Sequence, residues 1–180
     1  LDRLADRARE LLLPPHSSKE ICSVLNRVLF HEFNFRAASK DFSDPQNSFL
    51  HCVLERRRGL PITLSMVYLL VARRIGLELE PIGLPGRFMV GCFSDNKPFY
   101  IDAWSGGKFL EIEQMEDFLD DSSIENSGSY LLPVTVAETL TRGCRNLVQQ
   151  YAKLGDEENS ILFQNFVNEF ERVHQRETNA

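Results

Sequence analysis

The sequence predicts an α+β fold: helices, one of them buried, then an antiparallel sheet, then a helical hairpin. Three observations carry that prediction. From Ile62 to Ala72 only Thr63 and Ser65 are clearly polar, and a helix that is apolar nearly all round is one enclosed at the centre of a domain. LELEPIGL, RFMVGCF and PFYIDAW are short, rich in β-branched and aromatic residues, and parted by PG, SDNK and SGG, which is the pattern of antiparallel strands. Two long stretches of helical spacing meet at Gly155, the mark of an αα-hairpin. Helices and strands that are segregated along the chain read as α+β rather than α/β.

The elements follow in order. Leu1, Leu4, Ala5, Ala8, Leu11 and Leu12 recur at helical spacing, and Pro14 and Pro15 stop that helix. Ser17 opens SSKE with Glu20 three residues on, a capping box. The helix it starts should run through Phe30, with Ile21, Val24, Leu25, Val28 and Leu29 on one face. FNFRAASKDFSD reads as a loop. Asp44 then caps a helix whose first turn holds Pro45, whose apolar face is Phe49, Leu50, Val53 and Leu54, and which Gly59 ends. The buried helix spans Ile62 to Ile75. Pro61 suits its first turn, because that position has no intrahelical N–H bond to lose.

After Gly76 come the strands, then a short helix from Glu111 to Leu119, then the polar loop DDSSIENSGS. Thr135 opens TVAE, a second capping box, for a helix to Leu154. Asp156 caps the last helix, which carries Ile161, Leu162, Phe166, Val167, Phe170 and Val173. The expected division is residues 1–132 as one α+β domain and 133–176 as the hairpin packed on it, similar to a single tetratricopeptide-type unit, with no repeat at a fixed period.

Composition narrows the function. In 180 residues, 43% are hydrophobic and 26% charged, an ordinary globular mixture. A net charge of −6 argues against a nucleic-acid partner. No apolar run reaches the roughly 18 residues of a membrane span, so no membrane role is expected. The charged opening LDRLADRARELLL is not a secretory signal. The first residue is Leu1 rather than Met, which is compatible with a trimmed chain or a fragment and decides neither. Cys22, Cys52, Cys92 and Cys144 are widely spaced with no CxxC, which points to reduced thiols in a cytoplasmic compartment rather than a zinc site or a disulfide scaffold. His16, His31 and His174 lack metal-ligand spacing, so neither metal nor other cofactor is expected.

DPQNSFLHCVLERRRGLPITLS, VARRIGLELEPIGLPGRF and YIDAWSGGKFL, spread over about Asp41 to Leu119, together resemble the SirB1 family, a branch of the transglutaminase-like superfamily. The resemblance implies a papain-like core. It also implies a Cys–His–Asp set, with Cys at the start of the buried helix and His and Asp on successive strands. The chemistry explains the placement: a helix N-terminus favours the thiolate, the His takes the proton, and the Asp fixes the His tautomer. Gly59, Arg73 and Gly76 match the family's helix frame. On that frame the nucleophile position falls on Pro61. The His position falls on Arg87 in LPGRF, where relatives read LPGHF, and the acid falls on Asp102. Proline has no nucleophile, and arginine stays protonated and cannot act as a base. Relatives commonly lack the cysteine as well; loss of the histidine is this chain's own departure.

No catalytic residue is therefore expected, and the implied function is a non-catalytic module for a protein partner, with a regulatory or binding role. Two alternatives stand beside it. One is a residual cysteine-protease or transglutaminase-like hydrolase using a displaced thiol or hydroxyl. The other is a binder of small anions or carboxylates through Arg57, Arg58 and Arg87 at the N-terminus of the buried helix, with Asp102 and Trp104 beside them. Against the last stands the bland expectation that the arginines pair with Glu55, Glu78, Glu80 and Asp102. Arg87 is expected to reach Asp102, an ion pair in place of a His–Asp pair. Ser65 is expected to hydrogen-bond within the helix, Cys92 to be core, and His51 and Cys52 to point apart as neighbours on a helix.

Overall fold

A computed structural model of the chain describes residues 1–12, 16–95, 97–121 and 130–178. Most of the polar loop DDSSIENSGS and the prolines Pro14 and Pro15 lie outside the described residues, as does the side chain of His174.

The first helix, α1 (Asp2–Leu11), buries Leu4, Ala5 and Ala8. Ser17 caps α2 (Ser18–Asn26) through the expected box: its hydroxyl accepts from the amide of Glu20, whose carboxylate accepts from the amide of Ser17. The helix does not stop at Phe30. It widens into a π-helical turn over Arg27–Glu32, in which the Phe33 amide reaches back to the Val28 carbonyl at 2.9 Å. The segment expected to be all loop contains β1 (Arg36–Ala37), which pairs in parallel with β2 (Arg58–Gly59). Two-residue strands carry too little pattern to be seen in sequence. Asp44 does cap a turn, accepting from the Gln46 amide at 2.9 Å, but that turn is a short 3₁₀ piece (Pro45–Asn47) followed by α3 (Leu50–Arg56). Gly59 does not end α3. Arg57 does, in the left-handed conformation with φ 56°.

The central helix, α4 (Pro61–Arg74), opens with Pro61 in its first turn as expected, and buries Ile62, Leu64, Val67, Tyr68, Val71 and Ala72. Its neighbours explain the uniform burial. One side meets α1 and α2, and the other meets a four-stranded antiparallel sheet of order β3-β4-β5-β6. The strands are β3 (Glu80–Ile82), β4 (Met89–Cys92), β5 (Phe99–Asp102) and β6 (Lys108–Glu111). The last is a strand the sequence reading did not separate from the turn before it.

Strand alternation splits the sheet's side chains into two cores. Val90, Cys92, Phe99 and Ile101 face α4, while Met89, Tyr100 and Leu110 face the other way onto α5 (Ile112–Asp121) through Met115 and Leu119. The Tyr68 phenol, fully buried, donates to the Cys22 carbonyl at 3.0 Å, so its polar atom is satisfied.

The hairpin consists of α6 (Val136–Leu154), with the Thr135–Glu138 capping box, and α7 (Glu157–Thr178), joined at Gly155 (φ 74°). It seats on the 3₁₀ turn and α3: Gln150 accepts from the Ser48 hydroxyl and donates to the Phe42 carbonyl, and the Phe163 ring lies 6.0 Å from Phe49. Of the apolar residues on α7, Val167 is buried, but Ile161, Leu162, Phe166 and Val173 remain 45–61% exposed. The result is the α+β order the sequence predicts.

Candidate functional site

The start of α4 is held from both sides. Thr63 Oγ1 accepts from the Leu60 amide at 2.9 Å and donates to the Asn47 carbonyl at 2.8 Å. Gly59 leaves room for this: a Cβ there would stand 2.7 Å from Thr63 Oγ1. Pro61 then faces a hollow of about 220 Å³ walled by Phe42, Ile62, Arg87, Phe88, Arg142 and Asn146, with Gly86. Among the described residues no Cys, His or Ser lines it.

Arg87 enters from the turn between β3 and β4, where its amide bonds the Leu84 carbonyl at 3.2 Å and Gly86 takes φ 67°. Its Nη1 stands 3.7 Å from Asp102 Oδ2, with the arginine side chain 38% exposed and the carboxylate 4%. That is the ion pair expected from the sequence, at a separation too long for a hydrogen bond. Asp102 has closer donors in its own turn. Oδ1 accepts from the amides of Trp104 (3.0 Å) and Ser105 (3.2 Å), and Oδ2 accepts from the Ser105 hydroxyl at 2.8 Å. Asp102, expected from the resemblance as the acid position, is the anchor of the AWSGG turn. Gly107 closes that turn with φ 83°, its amide on the Asp102 carbonyl at 2.9 Å. Trp104 is half-buried, edge-on to Phe42 with centroids 5.9 Å apart, and so backs the wall of the hollow.

The arginines expected to converge do not. Arg57 points to the opposite end of β2's surroundings, its guanidinium 5.6 Å from the Phe33 ring centroid, in a separate hollow with Arg3, Arg7 and Glu32. The left-handed backbone at Arg57 turns the side chain off the course a continuing helix would give it. Arg58 is exposed on β2 and lines neither hollow. The ion pairs also differ from the bland expectation: Arg56 meets Asp44 at 2.8 Å and Arg74 meets Asp2 at 2.6 Å, and among the described residues Asp102 is the one expected acid in an ion pair.

Arg142 on α6 is the residue the sequence reading missed. Its Nη2 donates to the carbonyls of Leu84 (2.5 Å) and Arg87 (3.0 Å), and its guanidinium lies 5.5 Å from the Phe88 ring centroid. Burial, with Arg145 adding to it, pushes its pKa below the ordinary arginine value. Ser65, fully buried, donates to the Phe88 carbonyl at 3.2 Å; its bond leaves the helix to fasten the strand. A signal existed: Thr139, Arg142, Asn146 and Gln150 recur at helical spacing beside Leu147, a polar stripe on an inward face.

Among the thiols, Cys22 and Cys92 are core, and burial pushes Cys22 up to about 12. Cys52 contradicts its expectation. His51 Nε2 reaches to 3.2 Å from Cys52 Sγ. Divergent Cβ directions are overcome by the length of the imidazole, which packs 5.9 Å from the Phe49 ring. This pair lies outside the lining of the Pro61 hollow. Among the described residues no three His, Cys, Asp or Glu side chains gather as a metal site, and no helix is long and apolar enough to cross a membrane.

Comparison with known sequences now bears on this geometry. A profile described as the transglutaminase-like superfamily matches residues 1–145, four-fifths of the chain and all of the hollow's framework short of Asn146. The chain belongs to the transglutaminase-like superfamily. A relative in Xylella fastidiosa, named UPF0162 protein, is 32% identical over 139 residues, which is 72% of this chain and 48% of its own length. F-box only protein 21 of Mus musculus is 34% identical over 105 residues, 54% of this chain and 17% of its own length. The human F-box only protein 21 is 32% identical over 123 residues, 20% of its length. The transglutaminase-like chain thus spans about half the length of the bacterial relatives it matches and about a fifth of the F-box proteins. No solved structure matches it.

Proposed function

We propose that this transglutaminase-like domain, of the SirB1 type, is a non-catalytic module that binds a protein partner. One observation carries the reading: a hollow framed by the start of the central helix, the β3–β4 turn and α6, lined by Pro61 and Arg87, the positions at which the family resemblance implies a nucleophile and a base. Proline supplies no nucleophile and arginine no base, and Asp102 is engaged by the donors of its own turn. The domain's relatives include much larger proteins in which it forms a minor share, as suits a module carried by longer chains. The four free cysteines fit a reducing, cytoplasmic compartment.

The test is turnover. The chain is incubated with casein and a fluorescent primary amine, and separately with a panel of fluorogenic peptide amides. The expected result is no amine incorporation and no hydrolysis above buffer. Turnover that disappears in Asp102→Asn, or in Cys52→Ser, overturns the reading and restores the hydrolase.

A further inference from the structure

We propose that the helical hairpin is a cover over the Pro61 hollow, that Arg142 is its latch, and that a partner's side chain enters the hollow only when the latch lets go. The proposal rests on the binding-module reading and adds the regulation of that site.

Arg142 and Asn146 of α6 complete the wall of a hollow whose other sides come from α4, Phe42 and the β3–β4 turn. The enclosed space is about 220 Å³, smaller than the roughly 300–1,000 Å³ of ligand sites. The α+β domain thus supplies a cleft, and α6 shuts it.

The turn is shaped to seat this one side chain. A Cβ at Gly83 would stand 2.7 Å from Arg142 Nη1 and 2.9 Å from Val134 Cγ1, so the guanidinium packs directly on the glycine. The carbonyls of Leu84 and Arg87 accept from Nη2 at 2.5 and 3.0 Å, and the Phe88 ring centroid lies 5.5 Å from the guanidinium. Arg142 therefore closes the hollow and also fixes the main chain of Arg87, which lines it.

The closed position is one that can be given up. The latch bonds neutral carbonyls, while burial and the nearby Arg145 both disfavour its charge. Opening returns guanidinium and carbonyls alike to water, so it leaves no buried group stranded, as truncation of the side chain would. The remaining attachment is largely polar. Thr139, Thr141 and Gln150 are buried on α6 beside Leu147, and Gln150 meets the Ser48 hydroxyl and the Phe42 carbonyl, next to the ring contact of Phe163 with Phe49. Polar surfaces between parts of one chain are the kind that separate and re-form. The two helices meanwhile hold each other. Tyr151 stacks on Phe163 with centroids 5.7 Å apart, Arg145 pairs with Glu171 at 2.5 Å, and the Ser160 hydroxyl donates to the Val148 carbonyl at 3.2 Å. The hairpin can thus swing as one body about its start, where the Val134 amide bonds the Pro81 carbonyl at 2.9 Å.

The test places a thiol in the hollow with P61C and compares two reagents of the same chemistry and different size, iodoacetamide and iodoacetamidofluorescein. Peptide mass mapping reads the rates, with Cys52, which lies outside the hollow, as the internal reference. Relative to Cys52, the dye is expected to label the introduced thiol about tenfold or more slowly than iodoacetamide does, because it waits for a local opening. Adding Arg142→Ala should remove most of that difference. Gly83→Ala, which drives a methyl into the seat from the other side, should do the same and serves if the Arg142 variant fails to fold. Asn146→Ala thins the wall without touching the latch's bonds and should recover less. Absence of size discrimination in the P61C chain overturns the proposal. So does discrimination that survives both latch variants in chains shown folded by circular dichroism, and so does equal recovery with Asn146→Ala, which would make wall width the cause. Turnover in the assay above would overturn the binding-module reading while leaving these rates unmoved, so the two failures are told apart.

Discussion

Arg87 Nη1 and Asp102 Oδ2 face each other across 3.7 Å, a pair in which the carboxylate is buried and the guanidinium side chain is two-fifths exposed. The two partners therefore differ sharply in what they hold up. Asp102→Ala strands the amides of Trp104 and Ser105 and the Ser105 hydroxyl, and should cost about 2–4 kcal/mol. The ion pair that Arg87→Ala removes is half-exposed and is worth only about 0–1 kcal/mol. Urea denaturation of both variants checks this; equal losses would mean that the ion pair, not the turn, is what Asp102 supports.

The β3–β4 turn is fastened by Arg142 and Ser65 together. Arg142→Ala gives up two bonds to carbonyls and the contact with Phe88, and should lose about 2–3 kcal/mol. Ser65→Ala leaves the Phe88 carbonyl short of a donor and should lose about 1 kcal/mol. Thermal melts of the two variants against the parent chain give the comparison. A Ser65→Ala chain of unchanged stability would show that its hydroxyl is not the clamp.

Much of this framework is legible in the chain because it is local. Pro61 at a first turn, the capping boxes at Ser17 and Thr135, and the stop at Gly155 each depend on neighbours within four residues, and each stands where the spacing put it. The parts that escaped are set by contacts between distant residues. Arg142 finds carbonyls 55 and 58 residues away. Arg57 turns to Phe33 because a left-handed residue, not Gly59, ends its helix. The candidate positions Pro61, Arg87 and Asp102 come from the motif resemblance, but the separation of the Arg87 pair and the turn-anchoring bonds of Asp102 depend on the path of residues 103–107, which no spacing rule gives.

The thiols should react in a definite order. Cys52, half-buried with an imidazole nitrogen at 3.2 Å, is expected to be alkylated first. Burial raises both Cys22 and Cys144 above the ordinary thiol value, and Cys92 has no exposed surface. Brief iodoacetamide treatment at neutral pH followed by peptide mass mapping reads the order, and His51→Asn should slow Cys52. Labelling of Cys22 ahead of Cys52 in the native chain would contradict the packing described.

Acid should destabilise the helical half. The amide and hydroxyl of Ser17 hold the Glu20 carboxyl below its usual value, and Arg7, hydrogen-bonded to Glu32, does the same there. Carboxyls depressed in the folded state stabilise above their unfolded pKa of about 4.3, and that contribution is lost as pH falls through the lower folded values. The melting temperature is expected to drop on going from pH 5 towards pH 3. Glu20→Gln should melt lower at pH 6 and show a shallower acid limb; an acid limb of the same slope would remove Glu20 from the explanation.

The most direct test of the central claim, that Pro61, Arg87 and Asp102 form a catalytic frame stripped of its chemistry, is to put the chemistry back. In the double variant P61C/R87H, the introduced thiol sits at a helix N-terminus beside an imidazole within reach of Asp102. Its rate of alkylation by iodoacetamide is measured against pH, with circular dichroism confirming the fold. The expected result is reaction about tenfold or more faster than Cys52, with a midpoint well below the ordinary thiol value of about 8.5. A folded variant whose new thiol reacts no faster than Cys52, with an ordinary midpoint, would contradict the claim.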